Sequence, residues 1–101
     1  MPKTWTKKEI TTRISKQINE KPQVFEKIVS ETFTVLREVL SEANPEVRIE
    51  IRDFGVLEVK PTKAKPKARN PKTGEIVYVT AHRKTHFKPG KLLKNELRQP
   101  L

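Results

Sequence analysis

At 101 residues the chain is short enough for a single domain. It carries 22 Lys+Arg against 12 Asp+Glu, a formal net charge of +10, which favours a polyanionic partner, nucleic acid ahead of an anionic membrane surface. The absence of cysteine excludes disulfides and Cys-based zinc sites and fits a reducing compartment. No apolar run approaches the ~20 residues of a membrane span and no signal-peptide core is evident, so a cytoplasmic protein is expected.

Chain order begins with two helices. Thr6-Lys7-Lys8-Glu9 has the form of a capping box, a hydroxyl at the N-cap and a carboxylate three residues later. Ile10, Ile14 and Ile18 then recur every four residues, which predicts a first helix over about Lys7–Asn19. Trp5 is expected to pack on it, and Lys7, Lys8, Arg13 and Lys16 read as its solvated face. Pro22 suits the first position of a second helix, where its missing N–H is not needed. Phe25, Ile28, Val29, Phe33, Leu36, Val39 and Leu40 carry that helix forward, and Asn44-Pro45 breaks it, with an end expected near Glu42.

Strands follow. Val47, Ile49 and Ile51 alternate with Arg48, Glu50 and Arg52, the period of a half-buried strand. Asp53 and Gly55 suit a turn, after which Leu57 and Val59 alternate with Glu58 and Lys60. Between Lys60 and Thr73 there are lysines at 60, 63, 65, 67 and 72, prolines at 61, 66 and 71, and no large apolar side chain. Such a stretch has nothing to bury. Ile76 to Val79 read as strand again, with Tyr78 expected to pack at the base of the hairpin, the other reading being that it stacks on a sugar. Pro89-Gly90 precedes a short amphipathic helix, Lys91–Leu97. The expected order is α-α-β-β-(basic hairpin)-β-α.

The charge is one-sided. Residues 1–58 hold ten basic and ten acidic side chains, whereas residues 59–95 hold eleven basic side chains against Glu75 alone. The pattern is a neutral body with a cationic appendage. A body of ~60–70 residues buries only about 60% of its chain surface and is marginal alone, so pairing of two copies is expected.

Ala68-Arg69-Asn70-Pro71-Lys72-Thr73-Gly74 reads as a tight turn at the end of the basic ribbon. Most such turns are only turns, but here a proline stands at the tip of a ribbon without core residues. A cationic ribbon tracks a groove by neutralising phosphates. A rigid apolar tip enters between base pairs, at an unstacking cost of a few kcal/mol per step. Arg69 and Asn70 carry donors for minor-groove acceptors, which separate A·T from G·C only coarsely.

These pieces resemble the HU and integration host factor family of bacterial DNA-bending proteins over nearly the whole chain. The resemblance lies in the two amphipathic helices, Arg48-Ile49-Glu50-Ile51-Arg52-Asp53-Phe54-Gly55, the Arg69-Asn70-Pro71 tip, and His86-Phe87-Lys88-Pro89-Gly90-Lys91. HU and integration host factor are established minor-groove binders with apolar wedges. The resemblance implies an α+β fold with two N-terminal helices, a three-stranded antiparallel sheet with a long β-hairpin arm, a short C-terminal helix, and an intertwined dimer. A single domain over 1–101 would place 1–59 and 74–101 in the dimerisation body and about 60–85 in the arm.

By the same resemblance Pro71 would intercalate, and Arg69 and Asn70 would contact the minor groove. Lys60, Lys63, Lys65, Lys67, Lys72, Arg83 and Lys84 would meet phosphates along the arm. Arg48, Glu50, Arg52, Lys88, Lys91 and Lys94 would meet DNA from the body, and Phe33, Phe54 and Phe87 would form the dimer core. Arg48, Glu50 and Arg52 are similar to the β-subunit of integration host factor; the other reading is a solvated strand face. Asp53 stands where the family usually has glycine, Ala68 where glycine often precedes the arginine, and Ser41–Val47 is about three residues longer than in typical HU.

The function implied is HU-like bending and compaction of double-stranded DNA with low sequence specificity, in the bacterial nucleoid. A homodimer is expected, with a site-selective heterodimer as the alternative. An RNA- or ribosome-associated protein is the reading from another class, opposed by the lack of an aromatic stacking surface. Membrane binding would need a basic amphipathic helix, whereas the charge lies on a hairpin. His82 and His86, four apart in an extended segment, lack a neighbouring ligand, so no metal is expected. With one aspartate, three glycines and no catalytic set, neither an enzyme, a cofactor nor a small-molecule substrate is expected.

Overall fold

A computed structural model describes residues 2–101, with Pro66 and Ala68 described by their backbone alone. The elements in order are α1 (Lys7–Ile18), α2 (Pro22–Ser41), β1 (Val47–Ile51), β2 (Gly55–Pro61), β3 (Lys65–Arg69), β4 (Ile76–Val79), β5 (Arg83–Pro89) and α3 (Lys91–Leu97). They fall into two units, Met1–Val39 and Leu40–Leu101.

In the first unit, α1 starts at Thr6, whose backbone is extended and whose hydroxyl accepts the N–H of Glu9 at 3.4 Å. It stops at Asn19, held in the left-handed region (φ 62) with its N–H on the carbonyl of Ser15, and the N–H of Glu20 reaches the same carbonyl at 2.9 Å. The buried positions Thr11 and Ser15 are polar, but each hydroxyl donates to a carbonyl one turn back, at 2.8 Å in both cases. Burial therefore orphans neither. Trp5 remains 45% exposed, with Lys3 Nζ 4.9 Å and Arg13 Cζ 5.6 Å from its ring centroid.

The apolar stripe of α2 is wider than its own unit covers. Val29 is buried, whereas Val24, Ile28 and Val35, on the adjoining row of the helix, are 53%, 63% and 50% exposed. An open apolar groove runs along Ile28, Thr32, Val35 and Leu36 between Lys27 and Glu31.

In the second unit, β1, β2 and β5 form an antiparallel sheet in that order, with β2 central. The β1–β2 turn over Arg52, Asp53 and Phe54 closes with the N–H of Phe54 on the carbonyl of Ile51 at 3.1 Å. Asp53 takes a left-handed backbone (φ 62), which explains how an aspartate serves where glycine was expected: its short polar side chain tolerates that region. Gly55 permits a close approach. A Cβ there would collide with the carbonyl of Lys88 and come within 2.8 Å of the Phe87 ring. The rings of Phe54 and Phe87 lie with centroids 5.0 Å apart, and each is more than 40% open.

After the tip the sequence pattern marked one strand, Ile76–Val79, and there are two, β4 and β5. Arg83–Pro89 contains a single large apolar residue, Phe87, so it shows no alternation. It becomes a strand because β2 supplies a backbone ladder from Gly55↔Pro89 to Pro61↔Arg83. β3 and β4 make a separate two-stranded ribbon, with a register shift between Lys65 and Ala68. The side chain of Ala68, read above as a departure from the family's glycine, lies outside the described residues. α3 occupies the predicted span, and the N–H of Gly90 at its start donates to the carbonyl of Phe54 at 2.8 Å.

Gly55→Ala is expected to lower stability by about 1–3 kcal/mol, the usual cost of overpacking. Asp53→Gly, which removes a left-handed non-glycine residue, is expected to leave stability equal or higher. Thermal unfolding of both variants checks the pair.

Candidate nucleic-acid interface

The ribbon begins the site. β3 and β4 pair with each other alone, so Lys65, Lys67 and Arg69 stand exposed on a strand with no sheet behind it. Its tip is built from hydrogen bonds within six residues. The N–H of Gly74 reaches the carbonyl of Asn70 and the N–H of Asn70 reaches that of Glu75, both at 2.7 Å. Asn70 Oδ1 accepts the N–H of Lys72 at 2.9 Å, and Thr73 Oγ1 accepts that of Glu75 at 3.3 Å. Gly74 closes the turn with φ +75. Pro71 has no N–H to satisfy and sits exposed between Asn70 and Lys72. The side-chain oxygen of Asn70 thus works inside the turn, which leaves its amide group as the donor for a ligand.

The other expected phosphate contacts are distributed over two sheets. Lys63 lies between β2 and β3, and Lys72 lies in the tip. Lys60, Arg83 and Lys84 belong to the three-stranded sheet, as the pairs Lys60↔Lys84 and Pro61↔Arg83 place them. Arg83 differs from the lysines. Its Nη1 donates to the carbonyls of Ser41 and Ala43 at 2.6 and 2.7 Å, where it caps the end of α2 and anchors the following loop. Lys91 and Lys94 stand exposed on α3.

Arg48 and Glu50, 3.5 Å apart, are both exposed on β1, and Arg52 is exposed in the turn after it. The same sheet face carries a group that the sequence pattern concealed. Glu58, on the central strand, has only 7% of its side chain exposed, with Lys88 Nζ 2.9 Å from one carboxylate oxygen and Lys60 Nζ 3.9 Å from the other. Arg48 stands opposite it on β1 and His86 on β5. The alternation marks Glu58 as solvent-facing. A lone acid on the middle strand of a basic face is the signal that would have found it. The hydrogen bond from Lys88 holds the Glu58 carboxyl below its ordinary range; burial opposes this, and the charges of Lys60, Lys88 and Arg48 assist. Two cations of the expected interface are therefore fixed in place by one acid.

Ile76 and Tyr78 share one face of β4 and are 63% and 65% exposed. Tyr78 does not pack at the arm base as expected, because a two-stranded ribbon has no layer to receive it. Among the described residues there is no group of three or more His, Cys, Asp or Glu placed to hold a metal, and no helix is long and apolar enough to cross a membrane.

Three helices, a three-stranded sheet and a separate basic ribbon define an α+β protein with a cationic arm. The chain belongs to the bacterial DNA-binding protein family, the architectural proteins that include HU and integration host factor, and the family's sequence pattern matches residues 5–98. It is 32% identical to a probable DNA-binding protein HU of Chlamydia trachomatis over 99 residues, 96% of this chain and 94% of that protein. It is 36% identical to integration host factor subunit alpha of Buchnera aphidicola over 88 residues, 83% of this chain and 82% of that one. Its fold is similar to the Anabaena HU–DNA cocrystal structure, with a TM-score of 0.78, 23% identity, and coverage of 95% of this chain and 100% of that chain.

A carboxyl whose folded pKa is depressed adds stability above its unfolded value and loses it as pH falls through the folded value. Wild type is therefore expected to exceed Glu58→Gln in stability at neutral pH. The two are expected to converge below the ordinary carboxylate range. Denaturant unfolding across pH 2–7 tests the convergence.

Proposed function

We propose that the chain acts as a dimer that bends and compacts double-stranded DNA with little regard to sequence. Two basic ribbons track the minor groove, and Pro71 at each tip enters between base pairs. The observation that carries this reading is the ribbon itself: Lys65, Lys67 and Arg69 on an isolated strand pair, ending in an exposed proline held by a hydrogen-bonded turn. The cationic strands supply sequence-independent affinity for phosphates, and the tip supplies the deformation. Arg69 and the amide of Asn70 reach minor-groove acceptors. Lys60, Lys63, Lys72 and Lys84 continue the phosphate track toward the sheet, and Lys88, Lys91 and Lys94 meet the DNA that the bend brings back. The place of action that follows is the nucleoid.

The dimer is supported by apolar surface that the chain leaves open. Val24, Ile28 and Val35 on α2 are half exposed or more, and Phe33, Phe54 and Phe87 are 42%, 44% and 43% exposed. Full burial of a side chain of this size stabilises by about 1.5–3 kcal/mol, and a second copy presents the same face. A site-selective, heterodimeric reading has one observation in its favour, the exposed Arg48–Glu50 pair beside Arg52. Donors and an acceptor arranged on a strand suit base-edge readout.

Pro71→Ala is expected to bind duplex DNA but bend it less. The measurement is energy transfer between the ends of a labelled duplex, and equal transfer for both proteins overturns the wedge. Each phosphate contact contributes roughly −0.9 to the slope of log affinity against log salt, so Lys65→Ala with Lys67→Ala in both protomers should make the slope shallower by about 3–4. Competition of duplex DNA with structured RNA at equal salt discriminates the RNA-binding alternative, which requires RNA to win. Ile28→Glu with Val35→Glu is expected to give a monomer by mass in solution.

A further inference from the structure

The three-stranded sheet and the ribbon are two stretches of one antiparallel ladder. The pairs Pro61↔Arg83 and Lys65↔Val79 keep the same register, so the ladder stops at Pro61 and resumes at Lys65 without a slip. Thr62 stands opposite His82 in the gap. In a regular hydrogen-bonded pair each residue gives its N–H to the other's carbonyl. Here only half of that exchange is made by the backbone: the N–H of Thr62 donates to the carbonyl of His82 at 2.7 Å. The return bond is taken by a side chain. The N–H of His82 donates to the hydroxyl of Thr62 at 3.2 Å, and the hydroxyl donates to the carbonyl of His82 at 3.1 Å.

The imidazole completes the lock. His82 Nδ1 lies 3.0 Å from the carbonyl of Thr80 and 3.1 Å from Thr62 Oγ1. A carbonyl only accepts, so Nδ1 carries the hydrogen and shares it between these two oxygens. Pro61 falls at the neighbouring non-hydrogen-bonded pair, where its missing N–H leaves no gap in the ladder. A side-chain oxygen in place of a carbonyl changes where the strand must run, and it does so at the point where the ribbon leaves the sheet.

We propose that Thr62 and His82 form a clamp that sets the direction in which the DNA-binding arm leaves the sheet, so that they act as positioning residues for DNA bending. The proposal rests on the arm-and-wedge reading above. The clamp orders the arm base before DNA arrives, which lowers the ordering cost of binding. Thr62→Val removes the hydroxyl and keeps the β-branched shape that suits a strand. Thr62→Ser keeps the hydroxyl.

Residual dipolar couplings of the free, full-length protein read the clamp without DNA. In wild type and Thr62→Ser one alignment should fit the amides of both the sheet and the ribbon. In Thr62→Val the ribbon couplings should shrink while the sheet couplings persist. On duplex DNA, Thr62→Val should bend less and bind roughly 3- to 10-fold more weakly, with Thr62→Ser restoring both and the melting temperature unchanged in either. Unchanged ribbon couplings in Thr62→Val overturn the clamp, as does Thr62→Ser behaving like Thr62→Val. If the couplings respond as expected but wild type itself does not bend DNA, the bending reading fails and the clamp's hold on the arm stands.

Discussion

A two-stranded ribbon that carries Lys65, Lys67 and Arg69 has no second layer to bury against, and the β2–β5 pair of the second unit leads into it. β3 contains no large apolar side chain, and on β4 Ile76, Val77 and Tyr78 lie open. A ribbon of this kind is marginally stable when isolated. It persists here because it continues the β2–β5 ladder, in register as far as Lys65↔Val79, and that ladder's own anchor is the close approach of Gly55 to Lys88 and Phe87. Order passes along the ladder from the Phe54–Phe87 contact, through the Thr62–His82 junction, to the turn that holds Pro71.

The same sheet also decides which charges are free. Of the cations near it, Arg83 is committed to the carbonyls of Ser41 and Ala43, and Lys88 and Lys60 flank Glu58. Exposed pairs of this kind contribute little stability by themselves, but Glu58 is shielded and meets its partners on both sides. Its effect is to arrange cations on a face whose net charge remains positive. The unpaired lysines of the ribbon, by contrast, have only solvent or a polyanion to face. On the proposed reading affinity is thereby concentrated on the arm, and the body supplies order.

Much of this was legible in the residues. The Thr6 cap, the four-residue spacing of isoleucines and the Asn44-Pro45 break set both helices to within a residue or two, and Leu92, Leu93 and Leu97 after Pro89-Gly90 marked α3. The β5 strand was not legible, because its residues are basic and only the partner strand makes them extended. Glu58 was misplaced by the alternation that correctly placed Leu57 and Val59: Lys88 reaches it from β5, and no local period encodes that. The role of Arg83 was hidden for a similar reason, since its acceptors lie about forty residues earlier in the chain. The tip was read well because its information is local, each hydrogen bond spanning five residues or fewer.

The open apolar row of α2 and the projecting ribbon look like separate features, yet one requirement links them. A single arm that wedges one base step kinks the duplex at one point, and the two flanks stay free to swing. Two wedges fixed on one body make the kinks add in a defined plane, which is what lets bent DNA meet more protein surface and offset the unstacking. The body must then join two copies rigidly. Val24, Ile28 and Val35 give α2 a continuous surface for that contact, on a helix that contributes no charge of the ribbon. In the proposed arrangement dimerisation is not an addition to the function. There it would turn a basic hairpin with a proline tip into a device that shapes DNA.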